Sequence, residues 1–233
     1  MTALRDWSTT AVNLPEHADN PIHTDAGARA AGFESALVAG VTTYAYLTHV
    51  PATAWGLDWI GHGGAEVRFL RPVLAGDRVD CLVGDDGRVV ASVDGEERVA
   101  ATFVERAPTV ERRDGDLLEP VELVLGARWA DYGVRSGDDC PLYLRESIVH
   151  PTTWPRIANG ICHTQLVVGS WIHTRSRITH LGLALIGSTV RAESRLVDRF
   201  DSRSGVRSVI DVWITADGTP VAHLEHEAIT ELT

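Results

Sequence analysis

Asp19, Asn20, Pro21, Ile22 and His23 place a carboxylate, an amide and an imidazole on one short stretch of chain. A carboxylate and an imidazole that share a water molecule can act as general base and general acid, each contributing about 10²–10⁴ in rate. Pro21 biases Asn20 toward extended geometry, which starts a turn rather than a helix. His23 is the leading candidate for proton transfer, and Asp19 is its candidate partner. Asn20 is placed to brace the turn and to offer an amide to a ligand. A second polar set comes later: His150 before Pro151, then Asn159, His163 and His173. Asn159 and His163 are spaced i, i+4 and share one helix face. An amide and an imidazole on an otherwise apolar helix need partners, so that face is a candidate tunnel wall. His223 and His226 precede Glu227, but residues three apart on a strand point to opposite faces. No metal site is expected from them.

These groups need rigid supports. Thr24 or Asp25 can cap a short helix over residues 26–31, closed by Gly32. Residues 35–50 are apolar, small or aromatic on nearly every face, the pattern of a helix buried all round. Pro51 is expected to end it, with one or two further turns after it. The start of this helix, near Gly40, can supply backbone N–H donors to a substrate carbonyl. The period then changes to the alternation of half-buried strands over residues 63–106, broken at Pro72 and at Gly76-Asp77 and turned at Asp85-Asp86-Gly87 and Asp94-Gly95. Residues 107–120, charged and rich in proline, read as a linker. Residues 121–150 are less regular, with a possible helix around 127–134. A second helix is expected over 152–168, with Pro155 tolerated in its first turn. Alternating strands follow, with turns at Ser204-Gly205 and Asp217-Gly218. Trp55, Trp59, Trp154 and Trp171 fit a core better than a ligand cage.

The 233 residues are 44% hydrophobic and 23% charged, enough for one large domain or two small ones of ~100–120 residues each. No apolar run reaches the ~18–20 residues of a membrane span, and no basic-then-apolar leader follows Met1. A soluble cytoplasmic protein without membrane attachment is the expectation. A formal charge of −11 argues against a nucleic-acid partner. Cys81, Cys140 and Cys162 are odd in number and widely spaced, which suits buried free thiols. All 21 basic residues are arginine, so no Schiff-base or P-loop lysine exists.

The second half repeats the first in element order. VRFLRPVLAGDRV, beginning at Val67, pairs with ITHLGLALIGSTV, beginning at Ile178, and Gly76 falls on Gly187. Each half is a helix followed by antiparallel strands. A sheet wrapped round an apolar helix buries it, and two such sheets can join edge to edge. The expected fold is therefore α+β, a double hotdog, with residues 1–106 and 121–233 as the two halves. Such a chain is a pseudo-dimer within itself and can pair again as a homodimer.

NPIH at Asn20 to His23, followed by F-x-x-P-V-x-x-G-D from Phe69 to Asp77, resembles the MaoC-like acyl-CoA hydratases and dehydratases. In motif terms the resemblance covers roughly residues 18–105. In that family a D-x-N-P-x-H turn precedes the central helix, and the aspartate and histidine are catalytic. Here Ala18 stands at the aspartate position with Asp19 one place later, and Ala39-Gly40 stands where the family tends to have His-Gly. The resemblance implies addition or removal of water at an enoyl or 3-hydroxyacyl thioester, with His23 and Asp19 as the dyad. It implies an acyl-CoA or acyl-carrier substrate and no further cofactor. Two alternatives share the fold: a thioesterase, and a non-catalytic acyl-thioester binding protein with a degenerate dyad.

Overall fold

The structure is a computed structural model that describes residues 2–232. Met1 and Thr233, the outermost residues of the two expected halves, lie outside the described residues. The first half contains β1 (Trp7–Thr10), α1 (Asp25–Ala30), α2 (Gly40–His62), β2 (Gly64–Phe69), β3 (Arg78–Val83), β4 (Arg88–Val93) and β5 (Glu96–Val104). Then come β6 (Asp116–Leu117), β7 (Val121–Val124), α3 (Tyr132–Ser136), α4 (Leu142–Glu146) and α5 (Thr153–Gln165). The chain finishes with β8 (Ile172–His180), β9 (Thr189–Ser202), β10 (Gly205–Ala216) and β11 (Thr219–Leu232). Short 3-10 turns occupy Pro15–His17, Pro21–His23 and Ala127–Trp129.

One antiparallel sheet of eleven strands runs through both halves in the order β1-β3-β4-β5-β2-β8-β11-β10-β9-β6, with β7 also paired to β9. The halves meet at β2 and β8. There Gly64 faces Thr179 and Arg68 faces Arg175. The bridge Leu37–Leu74 recurs as Ile148–Leu185, so counterparts lie 111 positions apart (148 − 37 and 185 − 74). The same offset carries the pair Gly64–Thr179 onto Arg175–Arg68, as an internal two-fold axis through the ladder requires. The turns repeat as well. Asp94 and Gly95 have φ of 52° and 77°, and Asp217 and Gly218 have 49° and 81°, the left-handed pair that a tight hairpin uses. This is the double hotdog expected from the element order.

Helix α2 is the centre of the first half. Every residue from Val41 to Ala52 is buried, as an all-round apolar helix should be. Its limits differ from the expectation at both ends. Residues 35–39 are not helical: the chain bends at Ser35, then Val38 donates its N–H to Val73 and Leu37 bridges Leu74. Pro51 does not end the helix. The break falls instead at Gly56, whose φ of 60° and ψ of −141° are non-helical, and helix resumes to His62. The loss of one N–H at Pro51 is outweighed by the surrounding burial. Helix α5 is shorter than expected and two-faced. Thr153, Trp154, Pro155, Ile157, Ala158, Ile161 and Cys162 are buried, while the face bearing Gly160 and His163 is open. The 107–120 segment is not a free linker. It contributes β6, and Arg112 and Arg113 tie it to Glu193 and Glu225. The expected helix near 127–134 is a 3-10 turn followed by α3. The three cysteines are free and buried. No helix among the described residues is long and apolar enough to cross a membrane.

The turn that carries His23 is packed against α1 at one glycine. A Cβ at Gly27 would lie 2.1 Å from the Pro21 carbonyl oxygen. Gly27→Ala should therefore lower stability by about 1–3 kcal/mol, the usual cost of overpacking. Chemical denaturation of the variant checks this, and an unchanged midpoint would refute the packing account.

Candidate active site

A cavity of about 460 Å³ opens between the halves. His17, Asp19, Asn20 and His23 come from the turn region, Gly40 and Val41 from the start of α2, and Phe69 from β2. Arg156, Asn159, Gly160 and His163 come from α5, Trp171 from the residue just before β8, and His173 from the start of β8. Asp19, Asn20, His23, Gly40, Asn159, His163 and His173, all picked out in the sequence, therefore line one space, whereas His150 lies apart on Asp138. On α5 the residues at 156, 159, 160 and 163 form a single face, as the i, i+3, i+4, i+7 spacing dictates.

His23 is held by its Nδ1, which donates to the Leu37 carbonyl at 2.8 Å. In the neutral ring Nε2 then carries the lone pair. Burial pushes the His23 pKa down against the upward pull of that carbonyl, so the neutral form prevails at pH 7. Asn20 is committed to structure. Its Nδ2 donates to the Trp171 carbonyl at 3.0 Å, and its Oδ1 accepts from Ile22 N–H at 3.4 Å. The amide thus pins the turn of the first half to the second half. Thr24, not Asp25, caps α1, accepting from Gly27 N–H, while Asp25 accepts from Ala36 N–H. Asp19 is exposed on the same turn as His23. The N–H groups of Gly40 and Val41 open α2 and have no carbonyl partner among the described residues. The Phe69 ring fills the space beside Gly40, where a Cβ would come within 3.1 Å of it.

Three residues of this wall were not singled out in the sequence. His17 Nε2 lies 3.0 Å from the Tyr132 hydroxyl, which is 2.7 Å from Thr42 Oγ1. The rings of His17 and His23 meet edge-on with centroids 5.9 Å apart. Burial, aided by the positive charge of Arg156, lowers the His17 pKa to about 3. Glu16 bonds to both Arg135 and Arg156. Burial pushes its carboxyl up, but the two guanidinium groups hold it below the usual carboxylate range. Arg156 also lies over the Trp129 ring at 5.4 Å. The signal available in sequence was the spacing of Arg156 and Asn159 on one helix face. Glu16 and His17 precede the motif and carry no pattern of their own.

The position related by the internal two-fold is closed. Gly160 on α5 corresponds to His49 on α2, by the same offset of 111. A Cβ at Gly160 would meet nothing within 4 Å. The His49 ring instead stacks on Trp7 at 4.1 Å, and its Nδ1 lies 2.6 Å from Asp138 Oδ1. Asp138 also lies 3.2 Å from His150 Nε2 and accepts from Cys140 N–H at 2.9 Å. Burial pushes the Asp138 carboxyl up, but these partners outweigh it and hold it down at about 2. His150 occupies the place that Ala39 has in the first half. One carboxylate and two imidazoles, drawn from both halves, therefore fill at one of the two related positions the space that is open at the other. Asp139 lies 3.5 Å from His49, and His49, Asp138 and Asp139 bring their ligand atoms within 4.8 Å of one another. His49 and Asp138 already satisfy each other, so the group acts as a latch between the halves. His223 and His226 are in separate environments, His223 on Asp211 at 2.6 Å and His226 on Ser176 at 2.8 Å.

A two-half sheet, each half with its own central helix, defines a double hotdog protein. Residues 16–107 match the sequence profile of the MaoC like domain family. The fold is shared with a Mycobacterium tuberculosis protein that has a double hotdog fold. That likeness has 9% identity and a TM-score of 0.70, and covers 98% of this chain and 96% of the other. A Chloroflexus aurantiacus protein assigned as a MaoC domain dehydratase gives 12% identity and a TM-score of 0.65, covering 100% and 97%. An acyl-ACP thioesterase from Bacteroides thetaiotaomicron gives 8% identity and a TM-score of 0.56, covering 97% of each. No curated protein matches the sequence.

Two predictions follow from the site itself. Gly160→Leu adds a better helix former at an open position, worth about 1 kcal/mol, yet fills the cavity. It should raise the melting temperature, measured by thermal unfolding, and a lowered melting temperature would refute the open space at Gly160. The second concerns acid. Burial lowers the pKa of His17 to about 3, of His226 to about 3 and of His180 to about 4. Unfolded, each would titrate near about 6.5. Protons thus bind the unfolded chain first, so stability is complete above about pH 6.5 and declines as pH falls toward those values. Urea midpoints should drop between pH 7.5 and pH 5, and a flat profile would contradict the buried neutral rings.

Proposed function

We propose that the protein is an acyl-thioester hydro-lyase that adds water to an enoyl thioester, or removes it from a 3-hydroxyacyl thioester, in the cavity between the halves. The observation that carries this reading is His23. It is a neutral imidazole with Nδ1 tied to Leu37 and Nε2 left as a base, and it lines the same cavity as the unpaired amides that open α2. In the hydration direction, His23 Nε2 takes a proton from water as the oxygen adds to the acyl β-carbon. The thioester oxygen gains negative charge and is held by the Gly40 and Val41 N–H groups. The proton then returns to the α-carbon, which balances the step. Asp19 is the carboxylate that shares this water. Its exposed place on the turn leaves it free to swing toward a bound substrate. Arg156, fixed by Glu16, adds positive charge to the same wall.

The MaoC-like segment supports water addition, and the apolar wall of Leu37, Val38, Val73 and Ile172 supports an acyl group as the ligand. A thioesterase reading is favoured by one observation: Ala18 removes the carboxylate at the family position, and an exposed carboxylate such as Asp19 can direct water at a carbonyl instead. Spectrophotometry of crotonyl-CoA and longer enoyl-CoA substrates, with a thiol reagent in parallel, separates the two. The hydro-lyase reading expects loss of enoyl absorbance without free thiol, and a fall of roughly 10²–10⁴ in His23→Ala. Thiol release without change at the double bond assigns the thioesterase. Saturable binding with no turnover of either kind defeats both and leaves a binding protein.

A further inference from the structure

One wall of the cavity carries polar atoms that the fold does not satisfy. Asn159 Oδ1, Trp171 Nε1 and His173 Nδ1 are buried and have no hydrogen-bond partner. All three residues line the cavity, and all three belong to the second half. A buried polar group without a partner costs about 1–3 kcal/mol. Unpaired groups gathered on one cavity wall therefore mark where a ligand supplies the missing partners.

The chemistry of these atoms restricts that ligand. The indole N–H of Trp171 can only donate, and the amide oxygen of Asn159 can only accept. His173 is fixed from behind. Its Nε2 lies 2.8 Å from Ser176 Oγ, which is itself 2.8 Å from His226 Nδ1. The two rings lie 4.2 Å apart, and His226 is wholly buried. Burial, and secondarily the neighbouring His226, keeps His173 neutral against the weaker upward pull of the Arg175 backbone. A neutral ring with one nitrogen committed to Ser176 has one nitrogen left for a ligand. That arrangement orients a hydrogen bond without bringing a charge.

Position supplies the remaining restriction. The Phe69 ring touches the space above Gly40 on one side and meets the His173 ring at 4.4 Å on the other. A thioester oxygen seated on the Gly40 and Val41 amides thus has the Phe69 face between it and His173. The residues bearing the unpaired atoms line the same cavity as those amides, and a plain alkyl chain offers nothing to such atoms.

From this juxtaposition we infer that the cavity is built for an oxygenated acyl group, one that carries a hydroxyl or keto oxygen in its distal part, held by Trp171, His173 and Asn159. The inference rests on the acyl-thioester reading above and narrows its substrate class. A hydroxyl satisfies both kinds of partner at once, accepting from Trp171 and donating to Asn159 or His173. A keto oxygen satisfies the donors alone.

The test compares saturated CoA thioesters that cannot react: hexanoyl-CoA, 5-hydroxyhexanoyl-CoA and 5-oxohexanoyl-CoA, titrated into the full chain by calorimetry. At least one oxygenated ligand should bind about tenfold or more tightly than hexanoyl-CoA. That preference should shrink several-fold in Trp171→Phe, which removes the indole N–H and keeps an aromatic ring, and in the double variant His173→Phe with Ser176→Ala. Thermal unfolding of each variant confirms that it is folded. Equal or tighter binding of hexanoyl-CoA to the wild type overturns the inference and leaves the acyl-thioester reading standing. A preference that both variants retain also overturns it, because the oxygen is then held elsewhere. Failure of all three ligands to bind overturns the acyl-thioester reading together with the inference.

Discussion

The ladder between β2 and β8 is the constraint on which the rest of the molecule depends. It turns two half-sheets into one sheet, and it hides a strand edge from each half that would otherwise be open to pairing. Its register maps onto itself under the internal two-fold, so it also fixes how the two central helices face each other. The cavity is a by-product of that placement. Its turn comes from one half and its helical wall from the other, and the Asn20 amide fastens the two by reaching the Trp171 carbonyl. Slippage of the ladder by one residue would send every alternating side chain of β8 to the wrong face. His173 and Ser176 would lose their places together.

The two halves share a backbone plan and differ in what fills it. The difference comes down to a few positions. Glycine at 160 leaves a gap, and histidine at 49 closes the equivalent one. Ala39 leaves the start of α2 open, whereas His150 stands at the corresponding point and binds Asp138. The closed position is well satisfied, with a carboxylate shared between two rings and a backbone N–H. The open position retains unpaired polar atoms. A carboxylate saturated by its neighbours on one side and unpaired atoms along a cavity on the other separate a structural network from a site for a ligand.

Much of this was legible in the sequence because local patterns and tertiary structure agreed. Alternation marked the strands, and the matching Asp-Gly pairs marked the repeat. The polar turn before an apolar run marked the mouth of the cavity. The errors have physical causes. Pro51 reads as a helix end because it lacks an N–H, but burial on every side carries the helix past it. Residues 36–39 are as apolar as a helix, yet they are not helical because β3 is preceded by a segment that offers Val73 as a partner. Within the site, His23, Asn159 and His173 were visible as polar residues in apolar surroundings. Glu16, His17 and Arg156 were not, because their meaning comes from pairings across more than a hundred residues. No periodicity encodes an ion pair between Glu16 and Arg156.

The fusion of the two halves has a consequence for how such a protein can change. In a dimer of identical hotdog subunits, each substitution appears twice, and both sites must tolerate it. In this chain a residue such as His49 can be selected for tight packing while its counterpart Gly160 is kept small. One side is thereby free to become scaffold and the other to specialise. The reverse also holds. With a wall drawn from each half, damage to either disrupts this cavity, and its counterpart, closed by His49 and Asp138, cannot compensate.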